Sequence, residues 1–275
     1  IPLIWGTDAV HGHNNVYGAT LFPHNIGLGA THNPSLVGEI AKATALEVRA
    51  SGIDWIFAPT IAIAKDDRWG RTYESFSDQP SLIEAYTPEI IDAIQGSGLA
   101  ATAKHFIGDG ATDFGVEGGN TSISMQEVYE RLLPPYREAV NEGVGAVMVS
   151  FNTLSHKSMH AHKEMITDVL KDSLGFDGIV VTDWKGYSKF GENDVINAGV
   201  DMVMAVDGDL DMFQQGLKKG IESGYVSQER VDDAVRRILR QKYRLGLFEH
   251  PFPDADLIAE IGSPSHRDKA KQAVR

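Results

Sequence analysis

The stretch Gly178-Ile179-Val180-Val181-Thr182-Asp183-Trp184-Lys185-Gly186 constrains the fold more than any other part of the chain. Its first half is β-branched and apolar with no polar break, the pattern of a strand covered on both faces, as in a parallel sheet. The run stops on a carboxylate, an indole and a glycine. In an α/β barrel the catalytic groups sit where strands end and loops begin. An aspartate in such a place can equally cap the next helix. Residues 1–5, 54–59, 100–106, 145–150 and 199–205 also read as short strands. Between and after them, helical spacing of apolar residues marks 33–50, 81–95, 126–141, 166–174, 210–223 and 227–245. Strands alternating with helices predict an α/β fold with a parallel sheet and helices outside. Every suggestive polar group follows a strand, which favours a TIM-type (β/α)8 barrel over an open sheet. No G-x-G-x-x-G follows a strand, so a dinucleotide fold is disfavoured.

Length and charge narrow the field further. A chain of 275 residues fits one large α/β domain. We assign residues 1–250 to the barrel and read 251–275 as a polar tail or linker. The first residues look like a strand already under way, so one or more upstream strands are expected, and any leader with them. The net charge of −13, with no cluster of Lys and Arg, argues against nucleic acid as a partner. No apolar run reaches membrane-spanning length. The absence of cysteine excludes a disulfide or a thiolate nucleophile.

The strand ends carry the chemistry. Asp8 follows the first strand. His11 and His13 alternate in its loop, a spacing open to a metal, but no acidic or Cys partner follows at ligand spacing, so no metal is expected. The loop 65–74 packs Arg68, Trp69, Arg71, Tyr73 and Glu74 together with Asp66 and Asp67. Arginine's planar fork suits sugar hydroxyls and carboxylates, and a structural salt-bridge cluster is the competing reading. Lys104-His105 closes the third strand. A lysine there is costly if buried unpaired, but at the carboxyl end it can face Asp8 or Asp183. In a barrel, Asp8, Arg71, Lys104, His105, Asp183 and Trp184 converge on one mouth. Carboxylates accept from sugar hydroxyls, cations donate, and the indole stacks on the apolar face of a ring. A Schiff-base aldolase built on Lys104 needs a depressed lysine pKa in an apolar pocket, which the neighbouring His105 and the sugar-type loop oppose. A carbohydrate-binding barrel without turnover is a further alternative.

Four motifs, Gly6-Thr7-Asp8-Ala9-Val10-His11-Gly12, Trp69-Gly70-Arg71-Thr72-Tyr73-Glu74, Ala103-Lys104-His105-Phe106 and Val181-Thr182-Asp183-Trp184, together resemble glycoside hydrolase family 3. The likeness runs in the family's order over nearly the whole chain and is nearest to the β-glucosidases and exo-β-glucan glucohydrolases. It implies a retaining hydrolase that removes glucose from the non-reducing end of β-glucosides or β-glucans through a covalent glycosyl-Asp intermediate, without cofactor or metal. It also implies a second, C-terminal α/β domain and is compatible with a secreted or periplasmic setting. Carried over, Asp183 matches the nucleophile, Asp8, Arg71, Lys104 and His105 match residues that hold the glucose, and Trp184 matches a subsite aromatic. Lys104 and Arg71 are expected beside Asp183, keeping it charged. A retaining enzyme also needs a protonated acid about 5–5.5 Å from the nucleophile. In two-domain members that acid lies on the second domain. The candidates in this chain, Asp109, Asp113 and Glu117, show no neighbour pattern that marks a raised pKa. Two departures stand out. Phe151 replaces a frequent tyrosine. The segment Lys104-His105-Phe106-Ile107-Gly108-Asp109-Gly110 lacks the loop histidine of the β-N-acetylglucosaminidase branch, which makes that activity the lesser alternative.

Overall fold

The computed structural model describes residues 1–206 and 208–275. In chain order its strands are β1 (Gly6–Thr7), β2 (Trp55–Ile56), β3 (Thr102–Phe106), β4 (Asn120–Thr121), β5 (Ala146–Val149), β6 (Thr153–Leu154), β7 (Lys157–Ser158) and β8 (Ile179–Val181). The α-helices are α1 (Asn25–Gly29), α2 (Pro34–Ala50), α3 (Pro80–Gly96), α4 (Met125–Glu127), α5 (Pro134–Asn141), α6 (Gly186–Phe190), α7 (Asn193–Asn197), α8 (Asp209–Glu222), α9 (Gln228–Arg244) and α10 (Pro264–Val274).

The central strands pair in parallel and in chain order. β1 pairs with β2, and single bridges at Trp55–Ala100 and Thr60–Lys104 join β2 to the β3 segment. β3 pairs with β5, β5 with β8, and Val181 bridges to Met202. This is the α/β architecture expected from the alternating pattern. Among the described residues no ladder returns from Met202 to β1. β3, β5 and β8 are buried along their whole length, as their unbroken apolar runs require. Trp55 buries its indole and donates from Nε1 to Thr102 Oγ1 at 2.7 Å, so the N–H is not orphaned in the core.

The helices follow local chemistry. Asn33 caps α2 by accepting from the Leu36 N–H at 3.0 Å, Pro34 fits the first turn, and Leu36, Val37 and Ile40 face the core. The helix expected over 126–141 is α4, a π-helical stretch Val128–Leu132 and α5 in sequence. Pro134 and Pro135 cannot donate to the ladder, and just before them Leu133 N bonds Val128 O five residues back, at 2.9 Å. The helix expected over 166–174 is π-helical from Glu164 to Ser173.

Two expectations change. Residues 1–5 are not a buried strand: Ile1, Leu3 and Trp5 are 90%, 69% and 61% exposed, and pairing begins only at Gly6. Pro2 and Ile4 are half-buried, while no other described part of the chain covers the opposite side. The strand expected over 199–205 shrinks to the Met202 bridge. Asp201 is drawn instead into a buried ion cluster, and the Met204 N–H goes to the side chain of Thr182 at 2.8 Å. After β5, β6 and β7 form a hairpin, and β6 pairs with β4.

Two ionic clusters hold helices in place. Asp201, with no exposed side-chain surface, accepts from Lys171 at 2.7 Å, from the Val180 N–H at 2.9 Å and from Arg230 of α9. At the other end of the chain, α10 packs on α2. Glu47, also fully buried, accepts from His266 Nδ1 at 2.8 Å and from the backbone of Thr20 at 2.7 Å and of Gly262 at 3.1 Å. The segment 251–275 therefore carries a helix packed on the domain. Among the described residues no helix is long and apolar enough to cross a membrane.

Candidate active site

The carboxyl ends of the parallel strands open into a cleft of about 400 Å³. Asp8 comes from the end of β1, Arg71, Tyr73 and Glu74 from the loop after β2, and Lys104 and His105 from β3. Met148 comes from β5, Asp183 and Trp184 from the turn after β8, and Met204 from just beyond the Met202 bridge. All six residues singled out in the sequence thus line one cleft. Consecutive strand residues normally point to opposite faces. Lys104 and His105 both reach the cleft, at a place where the β3–β5 register shifts between Ala103 and Phe106.

Two ion pairs organise the charges. Lys104 Nζ lies 2.7 Å from Asp8 Oδ1; the lysine side chain is 4% exposed and the aspartate 63%. Arg71 grips Glu74 with both arms of its fork, Nε to Oε1 at 2.8 Å and Nη2 to Oε2 at 3.0 Å. Burial works against the Glu74 carboxylate, but the Arg71 fork outweighs it and holds it below the usual range. Of the two carboxylates Lys104 was expected to face, its direct partner is Asp8; Arg71, expected beside Asp183, pairs with Glu74. The short-range neighbour of Asp183 Oδ2 is His105 Nε2, at 3.8 Å.

His105 has one consistent protonation pattern. Arg71 Nη2 lies 3.0 Å from its Nε2, and a guanidinium can only donate. Nε2 therefore holds the lone pair and Nδ1 the proton, which points to Asp109 Oδ2 at 2.8 Å. Burial first, then the Arg71 and Lys104 charges, push the imidazole down to about 3. Burial likewise pushes Asp109 up to about 7.

Asp109 is thus an acid with a raised pKa, which its sequence neighbours did not signal. It lies buried on the Nδ1 side of His105 and does not line the cleft. Asp113 is half-buried, and its hydrogen bond from Ser122 holds it below the usual range. Glu117 accepts from Trp69 Nε1 at 2.7 Å and sits 3.5 Å from Arg71 Nη1, outside the cleft lining. None of the three is placed to protonate a leaving group in the cleft.

Asp183 is held at both ends of its residue. Trp184 N–H donates to Oδ1 at 2.6 Å, and the Asp183 N–H donates to His160 Nε2 at 3.1 Å. Trp184 is half-exposed at the rim. His11, Asn14, His24 and Tyr73 form a wall of the cleft that the sequence did not assign. His11 stacks on His24 with centroids 3.8 Å apart, and Tyr73 meets His24 edge-on. His13 points away into the core, bonded to Ser51 Oγ at 2.9 Å. Among the described residues no group of three His, Cys, Asp or Glu could hold a metal.

Comparison with known proteins agrees with this geometry. The chain is 33% identical over 297 residues to a lysosomal β-glucosidase of Dictyostelium discoideum, covering 98% of this chain and 36% of that protein. It superposes with a TM-score of 0.97 and 46% identity on the exo-1,3/1,4-β-glucanase of a Pseudoalteromonas species, covering 100% of this chain and 37% of that one. With the β-glucosidase of Listeria innocua in complex with glucose the TM-score is 0.92 and the identity 31%, over 99% of this chain and 39% of that one. The chain therefore spans well under half the length of these relatives. The family model of the glycosyl hydrolase family 3 N-terminal domain matches residues 1–241, and the chain belongs to that family.

Proposed function

We propose that the protein carrying this chain is a retaining β-glucoside hydrolase, and that residues 1–250 form its catalytic (β/α)8 barrel, completed by structure outside the chain. Asp183 is the nucleophile in this reading. Its carboxylate attacks the anomeric carbon of a terminal glucose, the glycosidic oxygen leaves with a proton, and water then releases the sugar from the glycosyl-Asp ester. Asp8, Arg71, Lys104 and His105 bind the glucose hydroxyls, and Trp184 stacks on the next unit. The observation that carries the reading is the position of Asp183: it stands at the carboxyl end of β8, in a cleft whose cations and carboxylates sit at neighbouring strand ends. The glucose bound in the Listeria innocua relative supports the choice of sugar.

The acid that protonates the leaving group lies outside this chain, since Asp109, Asp113 and Glu117 all stand off the cleft. A second domain following residues 251–275 supplies it. The absence of the loop histidine at Asp109 favours glucosides over N-acetyl-β-glucosaminides. The test is the anomer first released from a β-glucoside by the complete protein, read by proton NMR before mutarotation. β-Glucose supports the double displacement, whereas α-glucose rejects it. No release from either the glucoside or the N-acetyl sugar would leave the carbohydrate-binding reading.

A further inference from the structure

Behind the cleft, a histidine that lines no part of it holds the backbone of Asp183. His160 is fully buried, and its Nε2 accepts the Asp183 N–H at 3.1 Å. Its ring lies parallel to Phe190, with centroids 4.6 Å apart and planes 10° apart, and Phe151 stacks more loosely at 6.0 Å. Gly186 makes room for it: a Cβ there would sit 2.6 Å from the ring atoms Cδ2 and Nε2. Because Nε2 accepts, the proton of the neutral ring is on Nδ1. Nδ1 lies near the Ser150 backbone, outside hydrogen-bonding geometry. Burial pushes the imidazole down to about 3, so the acceptor persists across the neutral and mildly acidic range.

The histidine is itself firmly placed. It sits in the 3₁₀ turn Met159–Ala161 that follows the β6–β7 hairpin. Met159 N–H donates to Asn152 O at 3.1 Å, and Asn152 Nδ2 donates to Ile107 O at 3.2 Å and to Thr121 Oγ1 at 3.0 Å. The position of His160 is therefore set by the segments that follow β3 and β5. On the other side of Asp183 the chain turns sharply through Lys185 at φ 59° into α6.

We propose that His160 is a positioning residue, which fixes the Asp183 peptide and so aims the carboxylate at the anomeric carbon before substrate arrives. The proposal rests on the reading of Asp183 as nucleophile. Reacting groups held in attack geometry gain rate without gaining affinity, and His160 touches no cleft surface. Its loss should therefore lower the bond-forming rate and leave sugar binding nearly intact. It would also leave the Asp183 N–H as a buried donor without a partner.

The experiment uses the complete protein and 2,4-dinitrophenyl 2-deoxy-2-fluoro-β-glucoside, with covalent labelling followed by intact mass. Labelling is resolved into a saturating rate and a half-saturation concentration. His160→Phe keeps the aromatic stack and removes the acceptor; its saturating rate should fall about tenfold or more, as the carboxylate loses its fixed attack geometry. Its half-saturation should stay within about threefold, since uniform binding is untouched. His160→Gln restores an acceptor oxygen near the Nε2 position and should recover most of the rate. Wild-type labelling rates in His160→Phe would overturn the proposal, as would rate losses that merely follow the melting temperatures of both variants. Should His160→Phe fail to fold, ¹⁵N shifts of the His160 ring in the unsubstituted protein decide: a protonated Nε2 at neutral pH overturns it. If the unsubstituted protein itself takes no label, the nucleophile reading fails first.

Discussion

Lys104→Met separates binding from folding. Nζ of Lys104 is 2.7 Å from Asp8 Oδ1, but only the lysine is buried, at 4% exposure against 63% for the aspartate. Methionine keeps most of the stem volume and removes a desolvated charge that opposes folding. Asp8 is left without a partner, yet it is open to water and can be hydrated where it stands. The ion pair therefore contributes about 1 kcal/mol or less to stability, and Tm should move by no more than roughly 4 °C. Activity should respond differently. A charge-assisted hydrogen bond to a sugar hydroxyl is worth about 1.5–3 kcal/mol, so kcat/KM should fall roughly 10- to 150-fold. Initial rates on an aryl β-glucoside, measured beside thermal melts of the same preparations, check both halves. A kcat/KM within about threefold of the parent would remove Lys104 from the binding set. A large fall in Tm would assign it to folding.

Other expectations follow from the same geometry. A histidine with a depressed folded pKa binds fewer protons folded than unfolded, so its stability contribution is complete above the unfolded value of 6.5 and declines as pH falls toward the folded value. His105 and Asp109 offset each other between the unfolded values of 3.8 and 6.5: the folded pair holds its proton on Asp109 and the unfolded pair on His105. The acid sensitivity then comes from His160, with His13, His24 and His162 adding in the same direction, each at no more than about 1.4 kcal/mol per pH unit. Melts between neutral and mildly acidic pH should show a shallower slope in His160→Gln; an unchanged slope refutes the assignment. Asp201→Ala leaves the Val180 N–H without its acceptor and leaves Lys171 and Arg230 with Asp233 as their remaining carboxylate, and should cost about 1–3 kcal/mol in denaturant titrations; a cost under about 0.5 kcal/mol would make the cluster incidental. The isolated 275 residues should turn over cellobiose about 10²–10⁴-fold less well than the complete protein, with a smaller deficit on activated aryl glucosides. Full cellobiose turnover would place the acid inside the chain.

What the sequence made legible follows from how local its signals are. The strand ends Lys104 and Asp183 each follow an apolar run whose burial can be read residue by residue, so their convergence needed only parallel pairing; Asp8 follows a run that is not buried and is brought in by the pairing of β1 with β2. Glu74 stood in a loop already marked by Arg71, but its role as the arginine's partner depends on side-chain direction, which spacing does not encode. His24 and His160 carry no local mark. One is brought to the cleft by the path of residues 11–24 and the other by the β6–β7 hairpin, and both reach their sites through contacts distant in sequence. Asp109 was misjudged for a related reason: its raised pKa comes from complete burial on the Nδ1 side of His105, a property of the packed state. The exposed faces of Ile1, Leu3 and Trp5 show the converse, an apolar run that no other described part of this chain covers.

The central claim is that Asp183 forms a covalent bond to the sugar. The complete protein, trapped with a 2-deoxy-2-fluoro-β-glucoside, digested and sequenced by tandem mass spectrometry, should carry the fluoroglucosyl mass on Asp183 and on no other residue. The adduct should be absent in Asp183→Asn. A label on Asp8 or Glu117 would contradict the account.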